Sequence, residues 1–146
     1  MKLNLGCGNK KLEGWVNADM DILCNPDVVL DLTKPLPFED CSVDEVLLDN
    51  VLEHLPIKIN VLAEELRRII KENGTLTIIT PNCFYWKHRI KYLFGKFEAG
   101  EGYYFEHCWL LKPSFLREVF GLAGFVCDPI SDLFDRDIRL KAIRRV

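Results

Sequence analysis

The sequence predicts an α/β fold layered on a mostly parallel sheet, and three observations carry that prediction. Short apolar, β-branched runs recur along the first half of the chain, most of them closed by a turn former or an acid. A segment of helical period separates the fourth run from the fifth, and a glycine turn ends the first. With 146 residues, 49% hydrophobic and 28% charged, the chain reads as one globular domain over 1–146, large enough to bury a core.

The runs "LNL" (3–5), "WVNAD" (15–19), "DVVLD" (27–31), "VDEVLLD" (43–49) and "TLTIIT" (75–80) are expected as five strands. Between the last two, Ile57 to Glu72 places Val61, Leu62, Leu66, Ile69 and Ile70 at helical spacing, after Pro56 and before Asn73 and Gly74; this is expected as one crossover helix. A second helix fits Pro113 to Leu122, since proline is tolerated in a first turn, and "AGF" (123–125) ends it before a short strand. "DIRLKAIRR" (137–145) alternates apolar with basic residues, as an edge or near-edge strand wetted on one side would.

Asn82 to Gly102 departs from this pattern, mixing Phe84, Tyr85, Trp86, Tyr92, Phe94 and Phe97 with Lys87, Arg89, Lys91 and Lys96. It is too long for an ordinary connection. An insert of this composition can cap a ligand site, stack on single-stranded nucleic acid, or pack on the sheet as an amphipathic helix. The net charge of −3 gives the nucleic-acid reading no support.

No apolar run is long enough to cross a bilayer, and the first apolar residues alternate with polar ones instead of forming a secretory core. The six cysteines form no CxxC pair, which argues against a zinc or redox centre. No metal and no membrane partner is expected, and the expected location is the cytoplasm.

The glycine turn "LGCGN" lies at the carboxyl end of the first strand, where open parallel sheets bind ligands. Gly6 and Gly8 let the backbone turn sharply and approach a ligand. A dinucleotide fingerprint would need a third small residue where this chain has Lys11, and no GK[ST] loop is present, so a ligand without a pyrophosphate fits better than NAD, FAD or ATP. Acids follow at successive strand ends: Asp19 or Asp21, then Asp31, then Asp49 with Asn50. Each can accept ribose hydroxyls or an adenine amino group, and each can equally be a turn or cap residue. From Gly6 to Gly14 the connection is shorter than a usual parallel crossover; fully extended it reaches about 30 Å, leaving no room for a full helix.

The segments "LNLGCG" (3–8), "WVNADMD" (15–21), "DL" (31–32), "PLPFEDCSVDEV" (35–46), "NVLEHL" (50–55), "ELRRIIKENGTLTIITPN" (65–82) and "LREVFGLAGF" (116–125) together resemble the class I S-adenosylmethionine-dependent methyltransferases. The resemblance implies a Rossmann-like, doubly wound sheet with S-adenosylmethionine as cofactor. It implies that Gly6, Cys7 and Gly8 lie beside the methionine part, that Asp19 takes the ribose hydroxyls and that Met20 packs near the adenine. Asp31 and the backbone of Leu32 would then read the adenine edge, with Asn50 at the sulfonium end. Against the family pattern, the first crossover is shortened and Met1 nearly begins the first strand. The lid helices that many relatives carry before that strand are therefore expected to be missing, with the insert 82–102 or a neighbouring subunit in a homodimer covering the site.

Methyl transfer needs alignment and exclusion of water more than a special nucleophile. A hydroxyl or protonated amine acceptor also needs a base, for which His54, His107 and Asp49 are the candidates; the alternative for His54 is a packing residue at a helix start, and for His107 a core or cap histidine. Base-methylating enzymes of the family resemble one another in a [DNS]PP[YFW] motif, where this chain reads "DNVL". A small-molecule acceptor is therefore expected over nucleic acid. The alternatives are a binding-only subunit with the same fold and, less well supported, a nucleotide-dependent oxidoreductase.

Overall fold

The computed structural model describes residues 1–82, 85–93, 108–109, 111–128 and 135–145. Among the described residues seven strands form one sheet: β1 (Lys2–Leu5), β2 (Val16–Asp19), β3 (Val28–Val29), β4 (Val43–Asp49), β5 (Ile70–Pro81), β6 (Phe125–Cys127) and β7 (Asp137–Arg144). Their order is β3-β2-β1-β4-β5-β7-β6, so succession runs outward from the β1/β4 pair through β2 and β3 on one side and through β5 on the other, where β7 then inserts between β5 and β6. All pairs from β3 to β5 are parallel, whereas β7 lies antiparallel to both β5 and β6. This is a Rossmann-like sheet, and the reversal between β1 and β4 is where such sheets hold ligands.

Helix α1 (Ile59–Ile69) buries Ile59, Leu62, Ala63, Leu66 and Ile69, one stripe of a helical surface. A further helix, α2 (Trp86–Leu93), follows β5, and α3 (Pro113–Leu122) buries Leu116 and Phe120. The Phe120 ring meets Phe125 of β6 edge-on, with centroids 6.0 Å apart. Helices α1 and α3 touch each other on one face of the sheet. That face is supplied by alternate residues: Leu3 and Leu5, Val46 and Leu48, Leu76 and Ile78, Ile138 and Leu140, all fully buried. Strand β7 exposes Arg139, Lys141 and Ile143 on its other side, as its alternation predicts, and lies next to the edge with β6 outside it.

Three boundaries differ from expectation. Helix α1 ends at Ile69, not at Asn73–Gly74, because its last carbonyls are taken by a distant segment: Cys41 N–H donates to Arg68 O and Ser42 N–H to Ile69 O, each at 2.9 Å. With those acceptors satisfied the helix needs no glycine cap, and the chain passes directly into β5. Asn73 (φ 61°) and Gly74 instead sit in a bulge of β5, where pairing jumps from Val43↔Ile70 to Glu45↔Thr75. Strand β3 is shorter than the run 27–31, since beyond Val29 only Leu30 N–H bonds back to β2, at Asp19 O.

The β1–β2 crossover contains turns and no helix, and two buried asparagines hold it in place. Asn4 Nδ2 donates to Asn17 Oδ1 (3.0 Å) and to Lys10 O (2.9 Å). Asn17 Oδ1 also accepts from Leu12 N–H (2.8 Å), and its Nδ2 donates to Asp27 Oδ2 (2.9 Å). These side chains satisfy backbone groups that a helix would have satisfied internally. Asn17 in turn holds the Asp27 carboxyl below its ordinary range through backbone and side-chain hydrogen bonds.

Candidate functional site

The glycine turn leaves β1 with Gly6 at φ 69° and Gly8 at φ 47°, both in the left-handed region that disfavours a Cβ. Gly6 and Cys7 donate their N–H groups to Ala18 O of β2, at 2.8 and 3.1 Å. The two glycines serve different ends. A Cβ on Gly6 would lie 2.5 Å from Val51 Cγ2, so Gly6 is required by packing against the chain leaving β4. A Cβ on Gly8 would meet nothing within 4 Å, so the backbone there borders open space.

Gly8 N–H donates to Asp19 Oδ2 at 2.7 Å, and Asp21 N–H donates to Asp19 Oδ1 at 2.9 Å. The carboxylate at the end of β2 is thereby locked to the glycine turn, with lone pairs still available for hydroxyl donors. Next to it Met20, Ile22 and Leu23 stand 72%, 71% and 89% exposed, an apolar rim in which Asp21 caps the short 3₁₀ turn Ile22–Cys24. Cys7 is buried, and desolvation followed by the Asp19 charge pushes its thiol up, so it packs as a neutral group.

At the end of β4, Asn50 adopts φ 56° and is exposed; its Nδ2 donates to Asp49 Oδ1 at 2.6 Å. Lys10 reaches across from the glycine loop to Asp49 Oδ2 at 3.2 Å. Gly6, Cys7, Gly8, Asp19 and Asn50 thus stand around the carboxyl ends of β1, β2 and β4, with Met20 on the rim. Asp31 follows β3 but turns its carboxylate onto its own loop: Oδ1 accepts from Thr33 N–H (2.9 Å) and Thr33 Oγ1 (2.6 Å), and Oδ2 pairs with Lys34 at 3.4 Å. Those Thr33 bonds hold its carboxyl below the ordinary range. Leu32 buries its side chain in the core, leaving its backbone as the part toward the loop.

His54 is exposed and ends a 3₁₀ turn, Leu52–His54, separated from α1 by residues 55–58. It is therefore not a helix-start residue. His107 and most of the insert 82–102 lie outside the described residues.

Sequence reasoning missed four residues that shape this region: Asn4 and Asn17, Val51 against Gly6, and Glu53. The asparagines were detectable as polar residues at matching places in two apolar runs, "LNL" and "VNA". Glu53, the acid of "VLEHL" (51–55) that follows the buried Val51 and Leu52, is 2% exposed and accepts a hydrogen bond at Oε2 from Thr80 Oγ1 at 2.9 Å.

Residues 10–78 match the family model of a methyltransferase domain. No curated protein matches the chain. Among solved structures, an S-adenosylmethionine-dependent methyltransferase from Archaeoglobus fulgidus is similar at a TM-score of 0.73 and 16% identity, over 98% of this chain and 85% of that one. One from Thermotoga maritima gives 0.74 and 13%, over 99% and 82%. One from Methanosarcina mazei gives 0.70 and 17%, over 99% and 92%.

Proposed function

We propose that this chain is a class I S-adenosylmethionine-dependent methyltransferase and that it moves a methyl group from S-adenosylmethionine to a small-molecule acceptor, a reading supported by the methyltransferase-domain match over residues 10–78 and by the shared fold. The observation that carries the reading is the Gly8–Asp19 pair: a backbone N–H locked to a strand-end carboxylate, facing open space and flanked by an exposed apolar rim. A nucleoside fits that chemistry, with hydroxyls on Asp19 and a flat apolar base against Met20. A dinucleotide fits poorly, because no helix amino end follows the turn to receive a pyrophosphate.

When bound, S-adenosylmethionine supplies a methyl group already activated on sulfur. The chain's own part is to hold and orient. The Gly6–Gly8 backbone borders the methionine portion, Asp19 takes the ribose, Met20 and the loop backbone at Asp31–Leu32 bound the adenine, and Asn50 stands toward the sulfonium. The exposed Lys10–Asp49 pair links the glycine loop to the end of β4.

Calorimetric titration with S-adenosylmethionine, S-adenosylhomocysteine and NAD tests this. The two sulfur ligands should bind and NAD should not. Asp19→Ala should weaken S-adenosylhomocysteine by about 1–3 kcal/mol, the scale of hydrogen bonds to a charged group. Unchanged affinity in a folded Asp19→Ala variant would remove the residue from the site. Transfer of a labelled methyl group to an acceptor panel then separates an enzyme from a binding-only subunit.

A further inference from the structure

Glu53 is a buried carboxylate that the fold leaves half satisfied. Its Oε2 accepts from Thr80 Oγ1, while Oε1 is buried with no hydrogen-bond partner among the described residues. Nor does it form an ion pair there. Isolating a carboxylate in this way is costly, and sites that keep one supply a cation or proton donor from elsewhere. Among the described residues, the backbone N–H groups that reach Glu53, those of Cys108 and Trp109, go to its carbonyl oxygen and not to its side chain.

Its place in the fold says where that donor comes from. Val51, two residues earlier, is the residue packed against Gly6, and Thr80 lies near the carboxyl end of β5, adjacent to β4. The carboxylate therefore sits beyond the ends of β4 and β5, one strand over from the glycine turn, on the side where an acceptor would approach a nucleoside held by β1 and β2.

We propose that Glu53 Oε1 receives the amine of the methyl acceptor, so that the substrates of this protein are amines. This rests on the methyltransferase reading above. The nitrogen forms its bond to the methyl carbon as the carbon–sulfur bond breaks, with that electron pair remaining on sulfur, and the proton released from nitrogen goes to Oε1. Thr80 is a positioning residue, holding Oε2 so that Oε1 faces the acceptor.

Sinefungin tests this without knowledge of the acceptor, because it carries an amine-bearing carbon in place of the methyl-bearing sulfonium. The full chain should bind sinefungin about 10- to 100-fold more tightly than S-adenosylhomocysteine, the range of a charge-assisted hydrogen bond. Glu53→Gln should abolish that preference and leave S-adenosylhomocysteine affinity within about twofold. A wild-type protein with no preference, or a Glu53→Gln protein that retains it, overturns the assignment while leaving the cofactor reading intact. Failure of both ligands to bind wild-type protein overturns the cofactor reading and this one with it. If Glu53→Gln does not fold, Thr80→Val is read in its place: a preference reduced about threefold or more supports the proposal, and an unchanged one overturns it.

Discussion

Replacing each glycine of the turn by alanine separates the two roles the structure gives them. At Gly6 the new methyl faces two penalties. A non-glycine residue in the left-handed region costs roughly 1–2 kcal/mol, and the contact with Val51 at 2.5 Å forces a buried, β-branched side chain to shift, at roughly 1–3 kcal/mol more. Gly6→Ala should therefore lower stability by about 2–5 kcal/mol. At Gly8 only the backbone term applies, so Gly8→Ala should cost about 1–2 kcal/mol. Urea unfolding at 25 °C measures both, with an unchanged m-value as the check that the same surface unfolds. A double-mutant cycle isolates the contact: adding Val51→Ala to Gly6→Ala removes the clash, and the pair should be less destabilised than the sum by about 1 kcal/mol or more. Titration with S-adenosylhomocysteine completes the test, because the Gly8→Ala methyl projects into the open space assigned to the ligand and should weaken binding while the protein stays folded. Equal stability losses at the two positions, or an additive cycle, would refute the packing argument. Full affinity in Gly8→Ala would refute the ligand argument.

Asn17→Ala removes the acceptor for Leu12 N–H and Asn4 Nδ2 together with the donor to Asp27, in a residue only 5% exposed, and should cost about 2–4 kcal/mol in urea midpoint experiments. Arg68 donates to Leu36 O, Phe38 O, Asp40 and Glu65 at 2.7–2.9 Å, a fork that an ammonium cannot reproduce, so Arg68→Lys should lose about 1–3 kcal/mol of thermal stability. Lys71 Nζ, 2.8 Å from Asp44 Oδ1, is the main cause holding the Asp44 carboxyl at about 2. A depressed carboxylate contributes stability that is complete above its unfolded value, about 4, and is lost as pH falls through about 2. Asp44→Asn should thus flatten the stability–pH curve between about pH 4 and pH 2, as followed by circular dichroism, and leave its shape near neutrality unchanged.

The strand positions and the crossover helix were legible because they rest on local periodicity: alternating burial in β4, β5 and β7, and a single stripe along α1. The missed boundary at Ile69 rests on Cys41 and Ser42, which no window around the helix contains. The shortened crossover was legible in length alone. What replaces its helix is a pairing of Asn4 with Asn17 across two strands, and only the parallel register Asn4↔Asn17 reveals that these two polar residues face each other.

The strand-end acids show where the limit falls for the site itself. Asp31 takes both Thr33 bonds from two residues ahead, a pattern that "DLT" already announces as a local turn. Asp19 makes the same kind of bond to Asp21 N–H, so by local signature the two acids are alike. Only the bond from Gly8, eleven residues earlier in the chain, sets Asp19 apart, and it exists because β1 and β2 run parallel and end side by side. A carboxylate whose donors are all local closes its own loop, whereas one with a donor from another strand's exit joins two walls of a cleft. Sequence can therefore nominate the acids and can demote those with a complete local turn, but choosing among the rest requires the strand order.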